Sequence, residues 1–109
     1  MAIYRAIDRR NWDALRGLLS PAVFYSRPGY SEMNGRTEFV DFYKTTRQIS
    51  AGEHDVRAII ASESVGCCWG TFSGVLRNGD MIQIAFADWY EFERGLVRTR
   101  RTFFFPTSS

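Results

Sequence analysis

The run Met-Ile-Gln-Ile-Ala-Phe-Ala-Asp-Trp-Tyr-Glu-Phe-Glu-Arg-Gly-Leu-Val-Arg-Thr-Arg-Arg-Thr-Phe-Phe-Phe, residues 81–105, decides the fold. Two long strand-like segments flank a short loop ending in Gly95, the pattern of a β-hairpin whose last loop residue turns left-handed. Taken as a three-residue loop, Glu93-Arg94-Gly95 pairs Phe92 with Leu96 and sets Asp88 opposite Arg100. Upstream, Val65 to Leu76 reads as another strand. Arg77-Asn78-Gly79-Asp80 reads as a tight turn, because Asn-Gly accepts the positive φ angles of a two-residue loop. That register sets Trp69 opposite Asp88 and Thr71 opposite Phe86. One face of the sheet then carries Trp69, Thr71, Ser73, Ile82, Ile84, Phe86, Asp88, Tyr90, Arg100, Thr102 and Phe104. It is apolar, with a few polar groups converging on Asp88, as in a ligand pocket. The other face, with Cys68, Phe72, Trp89, Arg101 and Phe103, suits a dimer contact with a charged rim.

Working back from the hairpin, His54 to Ala61 is a further strand, and Arg36 to about Gln48 a helix with the aromatic face Phe39, Val40, Phe42 and Tyr43. Gly52 lies past its end. Asn11 caps a short helix bearing Trp12, Leu15, Leu18 and Leu19, which Pro21 stops. Ala2 to Asp8 is a first amphipathic helix, with Ile3 and Ile7 at i, i+4 spacing. Val23 to Ser26 is a short strand, and residues 27–31 form a loop in which Tyr30 is placed to close an opening. Helices first and an antiparallel meander after them make an α+β domain. A strongly curved sheet over a long helix is cone-shaped, with the N-terminal helices on the concave side.

Composition limits the function classes. The 109 residues suffice for one domain, 1–109, with a single core. Aromatics reach 16%, with nine Phe, which points to a deep core, a lined pocket or an apolar oligomer face. A formal net charge of +2, with the basic residues dispersed, gives no nucleic-acid stripe. No apolar run approaches the roughly 20 residues of a membrane helix, and the N-terminus lacks the order of a signal peptide. Cys67 and Cys68 are neighbours and point to opposite faces of a strand, so they do not pair. The expected setting is therefore reducing and cytoplasmic. One His and two adjacent Cys make a poor metal set, so no metal and no cofactor are expected.

The chain resembles the nuclear transport factor 2-like superfamily, in its SnoaL-like branch. The resemblance rests on Asn11-Trp12-Asp13-Ala14-Leu15 with Leu18-Leu19-Ser20-Pro21, on Asn34-Gly35-Arg36 with Phe39 and Phe42-Tyr43, and on Ala87-Asp88-Trp89-Tyr90-Glu91-Phe92 with Gly95-Leu96-Val97. It implies a curved sheet closed into a cone by helices, usually dimeric. Members include steroid isomerases, polyketide cyclases, dehydratases, epoxide hydrolases and non-catalytic binding modules. Against the steroid isomerases, Asp88 matches the acid on the strand before the last hairpin loop. The position of their general base falls at or near Ser26, which cannot serve as one. Their oxyanion tyrosine falls nearest Ile3, with Tyr4 adjacent but pointing elsewhere.

A neighbouring arginine favours an ionised Asp88 over the neutral acid of those isomerases. Two readings stay open. In one, the cone binds a small hydrophobic molecule bearing a carbonyl or acidic group, and Asp88 is the acid/base residue of a cofactor-free isomerase, cyclase or dehydratase. Arg100, Trp69, Thr71, Phe86, Thr102, Tyr30 and His54 would then bind the ligand. In the other, the protein is a non-catalytic dimeric ligand- or protein-binding module, its cone filled by its own aromatics.

Overall fold

The computed structural model describes residues 1–105. Helices α1 (Ala2–Asp8) and α2 (Trp12–Gly17) lead into β1 (Leu19–Ser26), the two-residue β2 (Met33–Asn34) and helix α3 (Arg36–Asp41). The chain then opens into one wide turn of π-helix, Phe42–Thr46, before β3 (Ile49–Ala61), β4 (Val65–Leu76), β5 (Met81–Glu93) and β6 (Leu96–Phe105). The six strands form one sheet in the order β2-β1-β6-β5-β4-β3. The β3-to-β6 meander is antiparallel as expected. The β1–β6 pairing is parallel, so the sheet is mixed.

The helices lie against the concave face, and the core fills the space between them and the sheet. Ile3, Ile7, Leu15, Leu19, Val23, Tyr25, Phe39, Tyr43, Phe72, Phe86 and Tyr90 are all buried there. Asn11 caps α2 as expected, its side chain accepting a hydrogen bond from the Ala14 amide.

Three segments depart from the sequence reading. Leu19 and Pro21 belong to β1 rather than to α2 and its stop signal. Pro21 falls between Leu19 and Phe24, where the ladder to β6 shifts register, so its missing N–H is accommodated there. The long third helix is α-helical only to Asp41, and β3 starts at Ile49 rather than His54. Gly52 is therefore a strand residue, not a helix cap. A Cβ on Gly52 would stand 2.2 Å from the Phe72 ring, and one on Gly74 would stand 2.6 Å from it. Phe72 thus lies across two glycines of adjacent strands.

The two turns set the faces. The first loop has three residues, Arg77-Asn78-Gly79, closed by a hydrogen bond from the Leu76 amide to the Asp80 carbonyl (2.7 Å), and only Gly79 is left-handed. One residue more than a two-residue loop slips β4 by one place, and a one-place slip exchanges the faces. Cys68 consequently sits opposite Asp88, Gly70 opposite Phe86 and Phe72 opposite Ile84. The second loop is shorter than expected: Glu93 pairs with Leu96, and Arg94 and Gly95 both take positive φ. Arg98 is then passed over in a bulge between Val97 and Thr99. Those two single-residue shifts restore the face. Asp88 ends opposite Thr102, with Arg100 opposite Tyr90 as its diagonal neighbour.

Candidate functional site

A cavity of about 190 Å³ opens at the end of the cone between the π-turn, β3 and the concave faces of β4, β5 and β6. Asp88, Arg100, Phe86, Thr102, Tyr30 and His54, six of the residues expected at the site, all line it. Trp69 and Thr71 do not. The β4 slip turns them to the convex face, where Trp69 is 52% exposed, and Phe72 takes the inward place. Phe86 and Phe104 line the cavity without filling it. An engineered cavity of roughly 150 Å³ already admits benzene, so this one has room for a substituted ring.

At the floor lies Asp88, 1% exposed. Its Oδ1 accepts from the Thr102 hydroxyl, and its Oδ2 accepts from the Tyr4 hydroxyl (2.5 Å) and from Arg100 Nη2 (3.0 Å). The one proton on each hydroxyl lets the rest of the network be directed. Thr102 spends its proton on Asp88, so Tyr25, at 2.8 Å, donates to Thr102. Tyr43, at 3.1 Å, then donates to Tyr25. Tyr90 donates to Tyr4 at 2.7 Å, and the Cys68 thiol, 2.8 Å from the same oxygen, does likewise. Arg100 Nη1 donates to Tyr43 (2.6 Å). Every chain of donors ends on Asp88, which the ionised carboxylate accommodates with three of its roughly four acceptor positions in use.

Burial holds the Tyr4, Tyr25 and Tyr90 hydroxyls and the Cys68 thiol above their ordinary pKa values, which keeps them protonated as this scheme needs. Tyr43 differs. Burial opposes its ionisation, but the guanidiniums of Arg100, Arg27 and Arg47 outweigh burial and hold it below the ordinary tyrosine value.

The wall is built differently. His54 reaches the cavity from β3, its ring against Tyr4, Phe72 and Phe86. Asp8 of α1 holds it, with Oδ1 2.6 Å from Nδ1 and Oδ2 accepting from its backbone N–H (2.9 Å). Burial lowers its pKa despite the pull of Asp8, so the ring is neutral. The Nδ1 proton is assigned by that short contact, which leaves Nε2 with a lone pair and no hydrogen-bond partner among the described residues. Arg27 and Arg47 complete the wall. Arg27 donates to Tyr25 (3.2 Å) and Tyr43 (3.4 Å) but leaves its Nε unpartnered.

Sequence reasoning missed Tyr4, Tyr25, Tyr43, Arg27 and Arg47. Tyr4 was expected to point elsewhere; α1 is buried at Ile3, Tyr4, Ala6 and Ile7 alike, so both sides of Tyr4 meet protein and its hydroxyl reaches Asp88. Tyr43, which lies in the π-turn, carried a signal in the aromatic face expected for a helix from Arg36 to about Gln48. The arginines carried none, since each sits in a stretch read as loop or helix end.

No curated protein sequence matches the chain. Among solved structures, an NTF2-like protein of unknown function from Burkholderia pseudomallei superposes with a TM-score of 0.86 at 21% identity, over 95% of this chain and 86% of that one. An epoxide hydrolase of the LEH-like type from Mycobacterium tuberculosis gives 0.82 at 16%, over 95% and 77%. A protein with the ketosteroid isomerase-like fold from Catenulispora acidiphila, in complex with trimethylamine, gives 0.83 at 14%, over 99% and 85%. At such identities these likenesses speak to the fold. The SnoaL-like domain family profile matches residues 2–99, and with the cone, its helices and its buried acid already in view, the chain belongs to the SnoaL-like family.

Proposed function

We propose that the protein binds a small, ring-bearing hydrophobic molecule in the cone and moves a proton on it without a cofactor, the elementary step of isomerases, aldol-type cyclases and dehydratases. The observation that carries this reading is an apolar cavity holding a neutral, carboxylate-oriented histidine beside a buried Asp88–Arg100 pair. The trimethylamine complex of the Catenulispora protein supports small-molecule binding by this fold.

Of the two groups able to take the proton, Asp88 and His54, the geometry favours His54. A proton added to Asp88 at either engaged oxygen would face a hydroxyl hydrogen from Thr102 or Tyr4, so one donor would have to turn away. His54 Nε2 needs no such rearrangement. In this mechanism Nε2 takes a proton from a carbon next to a carbonyl, and the C–H electron pair passes into the enolate. The negative charge on the enolate oxygen is met by the arginines of the wall. The proton then returns from Nε2 to a different carbon. Asp88 holds Arg100 and orients Tyr4, as a positioning residue.

The non-catalytic reading keeps one supporting observation: the convex face exposes Trp69, Trp89, Phe103 and Phe105. We assign that face to a second copy of the chain, giving a homodimer, which is compatible with either function. Among the described residues, no helix is long and apolar enough to cross a membrane.

Exchange of the α-protons of 2-indanone in D2O, followed by NMR, tests the chemistry without knowledge of the substrate. Wild-type protein is expected to accelerate exchange, and His54→Gln to lose about 100-fold of that acceleration, the lower range for a general base. A ketone that binds in the cone with no accelerated exchange would leave a binding module.

A further inference from the structure

The floor and wall of the cone carry Arg27, Arg47 and Arg100 against the single carboxylate Asp88, while His54 is neutral. Among the described residues the ion pairs are His54–Asp8, Arg57–Asp55 and Arg100–Asp88, so Asp88 is spent on Arg100 and neither Arg27 nor Arg47 has a carboxylate. Arg47 is the more telling of the two. It is 4% exposed, it makes no side-chain hydrogen bond among the described residues, and its Nε is buried without a partner. Its guanidinium lies over the rings of Tyr43, at 4.9 Å, and Phe72, at 5.6 Å, and feels the Asp8 carboxylate only through space, without an ion pair.

A guanidinium stays charged in a protein and carries five donors. Burying one unpaired is costly unless something else supplies the acceptors. Burial depresses even the Arg47 pKa, a direct mark of that cost. Yet the fold fixes Arg47 carefully. It follows the π-turn, where its amide bonds to the Phe42 carbonyl (2.8 Å), and an isolated π-turn is itself a common mark of a functional site. From the β4–β5 turn, Arg77 Nε donates to the Arg47 carbonyl (2.8 Å) and the Arg77 amide to the Gln48 carbonyl (2.8 Å). Two elements thus pin the backbone beneath a side chain whose head has no protein acceptor.

We propose that the ligand of the cone is an organic anion, whose carboxylate or comparable acidic oxygens are held by Arg47, with Arg27 beside it, while its ring lies among Ile82, Ile84 and Phe104. This deepens the proposed function and rests on the reading of the cone as a binding pocket. It places the anionic end on the wall arginines rather than on Arg100, whose Nη1 and Nη2 already serve Tyr43 and Asp88 and whose charge Asp88 neutralises, leaving only its Nε without a partner. The apolar lining excludes inorganic anions as adequate occupants, because Ile82, Ile84 and Phe104 would remain uncovered.

The test is a titration of the whole protein, followed by backbone amide NMR, with benzoate, cinnamate and 2-naphthoate, each beside its neutral primary amide, and with inorganic phosphate alone. The expected result is shifts at cavity residues for the acids, with at least one acid bound about tenfold more tightly than its amide, the equivalent of about 1.4 kcal/mol. In Arg47→Met that preference falls below about twofold while the amide still binds, and Arg27→Met reduces it in part. Acid and amide bound equally by wild-type protein, with cavity residues shifted, overturn the anion inference and leave the pocket standing. Phosphate alone binding as tightly as the acids overturns it too. If no acid and no amide shifts any cavity residue, both the inference and the pocket fall. Circular dichroism of each variant confirms folding, and retained amide binding separates loss of the anion contact from loss of the site.

Discussion

The floor and the wall of the same cone are built on opposite terms. At the floor, Tyr4, Tyr25, Tyr43, Tyr90, Thr102 and Cys68 all lead to one carboxylate, and Asp88 and Arg100 neutralise each other. On the wall, a few residues away, Arg47 has no polar partner and His54 keeps a free nitrogen among the described residues. The floor network is complete but for Arg100 Nε, and a network so nearly satisfied holds a structure together; the emptier wall leaves donors and an acceptor for a group from outside. Under the proposed function, the acid that stands out in the sequence is the structural centre, and chemistry and recognition fall to groups beside it.

Mutation should break this contrast first at the floor. Asp88→Leu strands a buried guanidinium and should cost about 3–5 kcal/mol in urea unfolding, with much of the loss recovered in the Asp88→Leu/Arg100→Met double variant. Stability within about 1 kcal/mol of wild type would mean that the floor is not what holds the cone. Tyr43→Phe leaves one Arg100 donor without its acceptor, and a loss of about 1–3 kcal/mol is expected by the same measurement.

The wall should respond with the opposite sign. Arg47→Met removes a buried charge that has no protein partner, so the urea midpoint should stay level or rise. A fall of about 2 kcal/mol would reveal a protein acceptor that the present geometry lacks.

The pH dependence sharpens the comparison further. The folded-state pKa of His54 lies below its unfolded value, so the unfolded chain binds more protons over that interval. The His54 contribution is present in full above the ordinary histidine pKa of about 6.5. It is lost as pH falls from there through the lowered folded value. Thermal unfolding of wild type and His54→Gln between pH 5 and 8 should show a constant difference above about pH 6.5 and wild type falling relative to the variant only toward the acid end; parallel curves would contradict it.

The smallest effect belongs to the convex side. Trp69→Ser should shift stability by no more than about 0.5 kcal/mol in the monomer and leave ligand titrations unchanged. A lost cavity would return Trp69 to the inner face.

How much of this was legible in the chain turns on its loops. Asp88, Arg100, Phe86, Thr102 and Phe104 were placed on one face from strand alternation and the assumed lengths of the two turns. The face survived in β6 because a shorter turn and the Arg98 bulge shift the register twice. β4 had no second shift, and one extra residue in the Arg77-Asn78-Gly79 loop carried Trp69 and Thr71 outward. A signal against the two-residue loop was present: Gly66, Gly70 and Gly74 share a face with Phe72. A Cβ on Gly70 would stand 2.1 Å from the Asp55 carbonyl oxygen, so such a face belongs to the crowded concave side. The wall was out of reach for another reason. The position of Arg47 depends on a π-turn and a staple from Arg77, and neither has a period that sequence can display.

A crystal structure of the protein with cinnamate would test the central claim most directly. The account predicts the carboxylate within hydrogen-bonding distance of Arg47, the ring against Ile82, Ile84 and Phe104, and every contact of Asp88 kept. A carboxylate seated at the floor, displacing Asp88 from Arg100, would contradict it and make the floor the working part of the cone.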